Sequence, residues 1–274
     1  MKRLLFLLLI LSILTSCVYF DADRDDILER LGEKGDAVIT LDTERMKETS
    51  LSSFIPSGEL GERTSRLTIE LASDGSLTGI AQGRLSSTEV GTALIWSPVF
   101  HRARGSNPEY YEGDGLSVGS AGEGIVLFTT GDYKAEYASI FSDGNGMIAE
   151  EDASLMLSSL ASLYIDSPET SYSLDLPEET VEKMENVLLL LDEEDGKLLL
   201  SGRIITDSED SARSLQILLR NMLVQSIRRK GERLDVKALS GIFTYKGSVV
   251  SITDYPLDKN DLESILSGSV YAIV

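Results

Sequence analysis

Two of the four Asp-Gly pairs restrict what this chain can fold into more than any other feature. Asp74-Gly75 and Asp195-Gly196 each stand between runs of alternating apolar residues. Asp-Gly is a favoured centre for a tight β-hairpin, because the turn needs backbone conformations that these residues tolerate. Leu67, Ile69 and Leu71 lead into the first pair, and residues 77–85 return from it. Residues 187–191 and 198–206 flank the second, and Lys246-Gly247 joins a third hairpin of 239–245 and 248–253. Antiparallel hairpins with one apolar face need another layer to bury it.

Helical periodicity supplies that layer. A helix is expected from Ser87, with Val90, Ala93, Leu94 and Val99 inward, Pro98 near its end, and Arg102, Arg104 and Gly105 closing it. Shorter helices are expected over 133–141, 153–165 and 257–266, and one begins after Pro177. The strongest runs over 210–230. Leu215, Leu218, Leu219, Met222 and Leu223 form its apolar side, and Arg228, Arg229 and Lys230 sit where the helix dipole favours positive charge. Further strands are expected at 37–41, 116–118, 125–128 and 171–176, with Asp42 capping a helical turn, and 50–65 reads as loop.

The order of these elements occurs twice, and residues recur with it. Leu41-Asp42 answers Leu174-Asp175, and Gly83-Arg84-Leu85 answers Gly202-Arg203-Ile204. Gly131-Asp132-Tyr133 answers Thr253-Asp254-Tyr255, and the Ser-Ile of Ser139 answers that of Ser264. The expected fold is therefore α+β, built of two tandem duplicated units of antiparallel hairpins packed against helices and loosely ferredoxin-like. The units are residues 35–146 and 147–274.

The N-terminal region is of another kind. Lys2 and Arg3 precede an apolar run over 4–14, then Thr15, Ser16 and Cys17. The run is short of the roughly 20 residues needed to cross a bilayer, so residues 1–16 read as a removable export signal. Leu14-Thr15-Ser16-Cys17 resembles a lipobox, the signal-peptidase II site of bacterial lipoproteins, although Ser16 stands where Gly or Ala is commoner. The resemblance covers residues 1–17 only. It implies that Cys17 becomes the first residue, with a diacylglycerol on its sulfur and usually a third acyl chain on its amine. It also implies a membrane partner through that anchor and a place in the bacterial envelope, with the body facing the periplasm or the cell exterior. Val18 rather than Asp after the cysteine favours the outer over the inner membrane by the enteric sorting rule. An ordinary signal with Cys17 near its end by chance is the alternative.

Cys17 is the only cysteine, so no disulfide can form within the chain. Residues 17–34 read as a lipidated N-terminus, an acidic tether and a short helix with Ile27, Leu28 and Leu31 on one side. Asp21, Asp23 and Asp25 have the spacing of a calcium loop, but Asp26 replaces its glycine and Gly32 its bidentate glutamate. The net charge of −20 argues against nucleic acid as a partner.

Searches for chemistry return little. His101 is the only histidine, which leaves no Cys/His zinc site and no Cys–His nucleophile pair. Gly115-Leu116-Ser117-Val118-Gly119 spells a nucleophile elbow, yet no histidine follows Ser117. Neither a phosphate loop nor a Ser-x-x-Lys pair occurs, and the glycines from Gly113 have the wrong spacing for a dinucleotide fingerprint. Asp192, Glu193, Glu194 and Asp195 read as a solvated hairpin tip. Trp96, Phe100, Tyr110 and Tyr111 bracket one loop as packing residues or a ligand surface. The sequence thus assigns no catalytic residue, cofactor or metal. It points first to a lipid-anchored, non-catalytic binding or structural module whose protein or apolar partner is unspecified. A carrier of an apolar ligand or lipid comes next, and a carboxylate-dependent hydrolase last.

Overall fold

The structure is a computed structural model that describes residues 25–31, 36–55, 59–143, 146–168, 176–231, 239 and 241–257. Cys17, the tether before Asp25, Leu174-Asp175, the Ser-Ile of Ser264 and the helix expected beyond Leu257 lie outside these residues.

The fold is α+β, and its strands join one antiparallel sheet of 12. In chain order they are β1 (Ala37–Asp42), β2 (Thr64–Leu71), β3 (Leu77–Gly83), β4 (His101–Arg102), β5 (Tyr111–Gly113), β6 (Leu116–Gly122), β7 (Ile125–Thr129), β8 (Ala161–Asp166), β9 (Met184–Glu194), β10 (Lys197–Thr206), β11 (Phe243–Lys246) and β12 (Val249–Leu257). The helices are α1 (Thr43–Met46), α2 (Glu59–Arg63), α3 (Ser87–Trp96), α4 (Tyr133–Ala138), α5 (Glu150–Ser158), α6 (Glu178–Val181) and α7 (Glu209–Lys230).

Strand order across the sheet is β11-β12-β10-β9-β8-β1-β2-β3-β7-β6-β5-β4. Counted outward from the β1–β8 pair, each half has the same connectivity. One side runs β1-β2-β3-β7-β6 and the other β8-β9-β10-β12-β11. A helix follows the third strand in both, α3 in the first and α7 in the second. The β4–β5 hairpin widens the first half only. The turns at Asp74-Gly75 and Asp195-Gly196 form as expected, and at the latter both residues are left-handed, Asp195 at φ 52° and Gly196 at φ 74°.

Several boundaries differ from the sequence expectation. The helix expected over 153–165 stops at Ser158, where the Ser158 and Ser159 hydroxyls donate to the Leu155 carbonyl. Residues 161–166 then become β8, because Tyr164 and Ile165 favour an extended chain. The strand that repeats β1 is therefore β8, and Asp166 rather than Asp175 answers Asp42 by position. Both are six-residue strands that begin with Ala and end with Asp. Asp132 and Asp254 do different work. Asp132 caps α4, whereas Asp254, at φ 49°, donates its amide to Ser201 Oγ within β12. The stretch 50–65 holds a 3-10 helix at Ser50–Phe54, then α2 and the start of β2.

The core divides between the two faces of the sheet. On one face Val38, Ile80, Leu127, Tyr164 and Leu188 pack beneath Ile27 and Leu28 of the 3-10 helix Asp25–Arg30, Tyr133 of α4, and Ala153 and Met156 of α5. On the other, Ile165, Val187, Ile204 and Val250 meet Ala212, Leu215 and Leu223 of α7. Ser208 caps α7 at its start, and Gly231, at φ 71°, closes it with a left-handed turn. No helix among the described residues is long and apolar enough to cross a membrane.

Candidate functional site

The residues singled out in the first half gather around β4, β5, β6 and the end of α3. α3 is shorter than expected. It ends at Trp96, because Pro98 disfavours helical backbone at Ser97, and the chain then turns into β4. No residue of α3 is fully buried. Val90 packs against Ala81, Leu85 and Val126, and Leu94 is half-buried. Ala93 and Val99, expected inward, are exposed. Ile95 and Trp96 project outward at 63% and 82% exposure.

Strand register brings the sole histidine and the Gly-x-Ser-x-Gly serine into one row. His101 pairs with Glu112, and Glu112 pairs with Ser117. The acid therefore lies between serine and histidine. With strands about 4.8 Å apart, His101 is roughly 10 Å from Ser117, beyond reach of its proton. The glycines of the motif have packing reasons. Gly115 takes φ 75° in the β5–β6 turn. A Cβ on Gly119 would lie 2.5 Å from the Tyr133 hydroxyl and 2.8 Å from the Glu109 carbonyl.

The aromatics near this row are packing elements. The Tyr110 ring stacks on Tyr133 with centroids 4.6 Å apart, and Tyr137 and Phe141 continue the stack. Tyr111 is buried and donates to Glu109 Oε1 at 2.9 Å, while Arg102 reaches Glu109 Oε2 at 2.7 Å. Burial raises the phenol pKa of both Tyr110 and Tyr111, and Glu112 and Glu109 respectively add to it. Burial likewise raises that of Tyr133. Phe100 is half-buried beside Gly113, leaving Trp96 as the outward aromatic of the group.

The acidic run at the second hairpin is not a simple solvated tip. Asp192 and Glu193 lie within β9 and hold the first half in place. Asp192 Oδ1 accepts from the Leu160 amide and from Arg45 Nη2, at 3.2 and 3.3 Å. Glu193 Oε2 accepts from the Ser50 amide and hydroxyl, at 3.0 and 2.6 Å. Beneath them Met46 and Leu51 pack on Leu160, Leu191 and Leu198. Glu194 and Asp195 are exposed as expected.

Sequence reasoning places Arg203 only as a repeat match and leaves out its partner Asp152, with which it forms an ion pair of 2.5 Å, Asp152 being almost fully buried. The available signal was a single arginine within the apolar run of β10, a position that calls for a partner. Among the described residues no three His, Cys, Asp or Glu side chains are grouped to hold a metal ion.

No protein-family model matches this sequence, and no curated protein does. Solved structures do. Crystal form III of TP0453 superposes with a TM-score of 0.63 at 13% identity, covering 88% of this chain and 97% of that one. Crystal form I of TP0453 gives 0.62 at 15% identity over 89% and 97%. The similarity establishes a shared fold.

Proposed function

We propose that this chain is a lipid-anchored protein of the bacterial cell envelope whose body binds rather than transforms. The observation that carries this reading is Leu14-Thr15-Ser16-Cys17 after a charged start and an apolar run, with no other cysteine in the chain. Two or more acyl chains at Cys17 would hold the body firmly, at about 0.8 kcal/mol per buried CH₂. His101 lies two strands from Ser117, and the carboxylates Asp152, Asp192 and Glu193 are engaged by Arg203, Leu160 and Ser50. Metabolic labelling with palmitate tests the anchor: label is expected on the wild type and absent from Cys17→Ala, and equal labelling of the two would overturn it.

One observation favours carriage of an apolar ligand as a second reading. Ile69, Ile39, Leu163 and Leu189 form a register row across β2, β1, β8 and β9, on the face that carries α3 and α7. All four are half-buried rather than sealed. A fluorescent fatty acid seated there would lose its emission change in Ile39→Glu. An unchanged response in that variant would exclude the row as its seat.

A further inference from the structure

We propose that the middle of the sheet holds ordered water, bound by a row of three hydroxyls where the two halves meet. Thr68 and Thr40 are register partners on β2 and β1, and Thr40 and Ser162 are partners on β1 and β8. The β1–β8 pair is the strand contact that joins the halves. Alternation puts Thr40 on the face of Val38 and Ser162 on that of Tyr164, beneath the helical layer that includes α4 and α5.

All three residues are buried, at 1% for Thr68, 2% for Thr40 and 4% for Ser162. None of their hydroxyl oxygens has a hydrogen-bond partner. The same face shows the alternative arrangement. Thr78 and Thr129, partners on β3 and β7, bond directly at 3.0 Å. The central hydroxyls do not close on one another in this way. Leaving buried hydroxyls unpaired is costly, and folded proteins satisfy such groups with internal water.

One water per pair satisfies the row. A water making two hydrogen bonds of about 2.8 Å spans up to about 5.6 Å between oxygens that do not meet directly. In this arrangement one water bridges Thr68 and Thr40, a second bridges Thr40 and Ser162, and Thr40 serves both.

Thr40→Val keeps the shape of the side chain and removes the shared hydroxyl. Oxygen-17 magnetic relaxation dispersion on the full chain counts long-lived internal waters. It is expected to show about two fewer in Thr40→Val than in the wild type, and no change in Thr40→Ser. Thermal unfolding supplies the second readout. Bound water predicts a midpoint lower by about 2–4 °C in Thr40→Val, since the waters and the flanking hydroxyls lose a partner. A higher midpoint would mean that the row is dry and the hydroxyl unpaired. A lower midpoint with an unchanged water count would mean that the hydroxyls bond to one another. Either result overturns the proposal.

Discussion

Arg203 Nη2 lies 2.5 Å from Asp152 Oδ1, tying α5 to β10 on the face covered by α4 and α5. Asp152 is 6% exposed and Arg203 30%. Removing the guanidinium alone strands a buried carboxylate. Arg203→Met is therefore expected to lower stability by about 2–3 kcal/mol in a urea titration, less than for a fully buried pair because solvent reaches the arginine. The double variant Arg203→Met with Asp152→Leu should recover much of that loss.

Gly119 and Ser117 of the elbow-like motif should behave in opposite ways. Gly119→Ala pushes a methyl group into the Tyr133 hydroxyl and the Glu109 carbonyl, and should cost about 1–3 kcal/mol. Ser117→Ala should stay within about 0.5 kcal/mol of wild type and leave the rate of nitrophenyl ester hydrolysis at background. A drop in that rate on Ser117→Ala would revive the serine as a nucleophile.

Alkaline pH should expose the burial of Tyr133. Its folded pKa stands above the ordinary value of 10.0, chiefly through burial. Below that value both states keep the proton and the stabilisation is whole. As pH climbs past it, the unfolded chain releases the proton first and stability declines. Tyr133→Phe removes this component, so between pH 9 and about 11 its stability should fall less steeply than that of the wild type. Because the Tyr133 hydroxyl lacks a partner, the variant should also be at least as stable at neutral pH.

The contact between Asp192, Glu193 and the first half can be tested by removing its acceptors. Asp192→Ala and Glu193→Ala should each cost about 1 kcal/mol, since hydrogen bonds to partly exposed carboxylates are lost. Leu51→Ala, directly beneath, should cost about 2–5 kcal/mol. Hydrogen exchange at the Ser50 and Leu160 amides would localise the effect.

Trp96 is the only tryptophan and is 82% exposed, so it works as a built-in reporter. Its emission should resemble that of indole in water and be quenched readily by iodide. A blue shift with loss of quenching would mark anything that settles on α3. Trp96→Ser should change stability by no more than about 0.5 kcal/mol.

The hairpins were legible in the sequence because their signals are local. Asp74-Gly75 and Asp195-Gly196 carry their own turn geometry, and alternation marks the strands beside them. The duplication was legible in the order of elements, but the residue matches misled in places. Asp175 matches Asp42 by residue type alone, because apolar spacing over 153–165 suits either period until Tyr164 and Ile165 are weighed and so hides β8 inside an apparent helix. Spacing points Ala93 and Val99 inward, but spacing alone does not say which neighbour exists to cover a face. The row of His101, Glu112 and Ser117 depends on the register of three short neighbouring strands, which the glycine-rich stretch around the Asp114-Gly115 turn obscures. The roles of Asp192 and Arg203 depend on partners that lie more than 30 residues away.

Among the described residues the sheet ends at two strands, and both are stubs. β4 has two residues and β11 four. Each offers few free backbone groups on which an incoming chain could grow. Copies that meet at these edges would find little on which to template end-to-end growth.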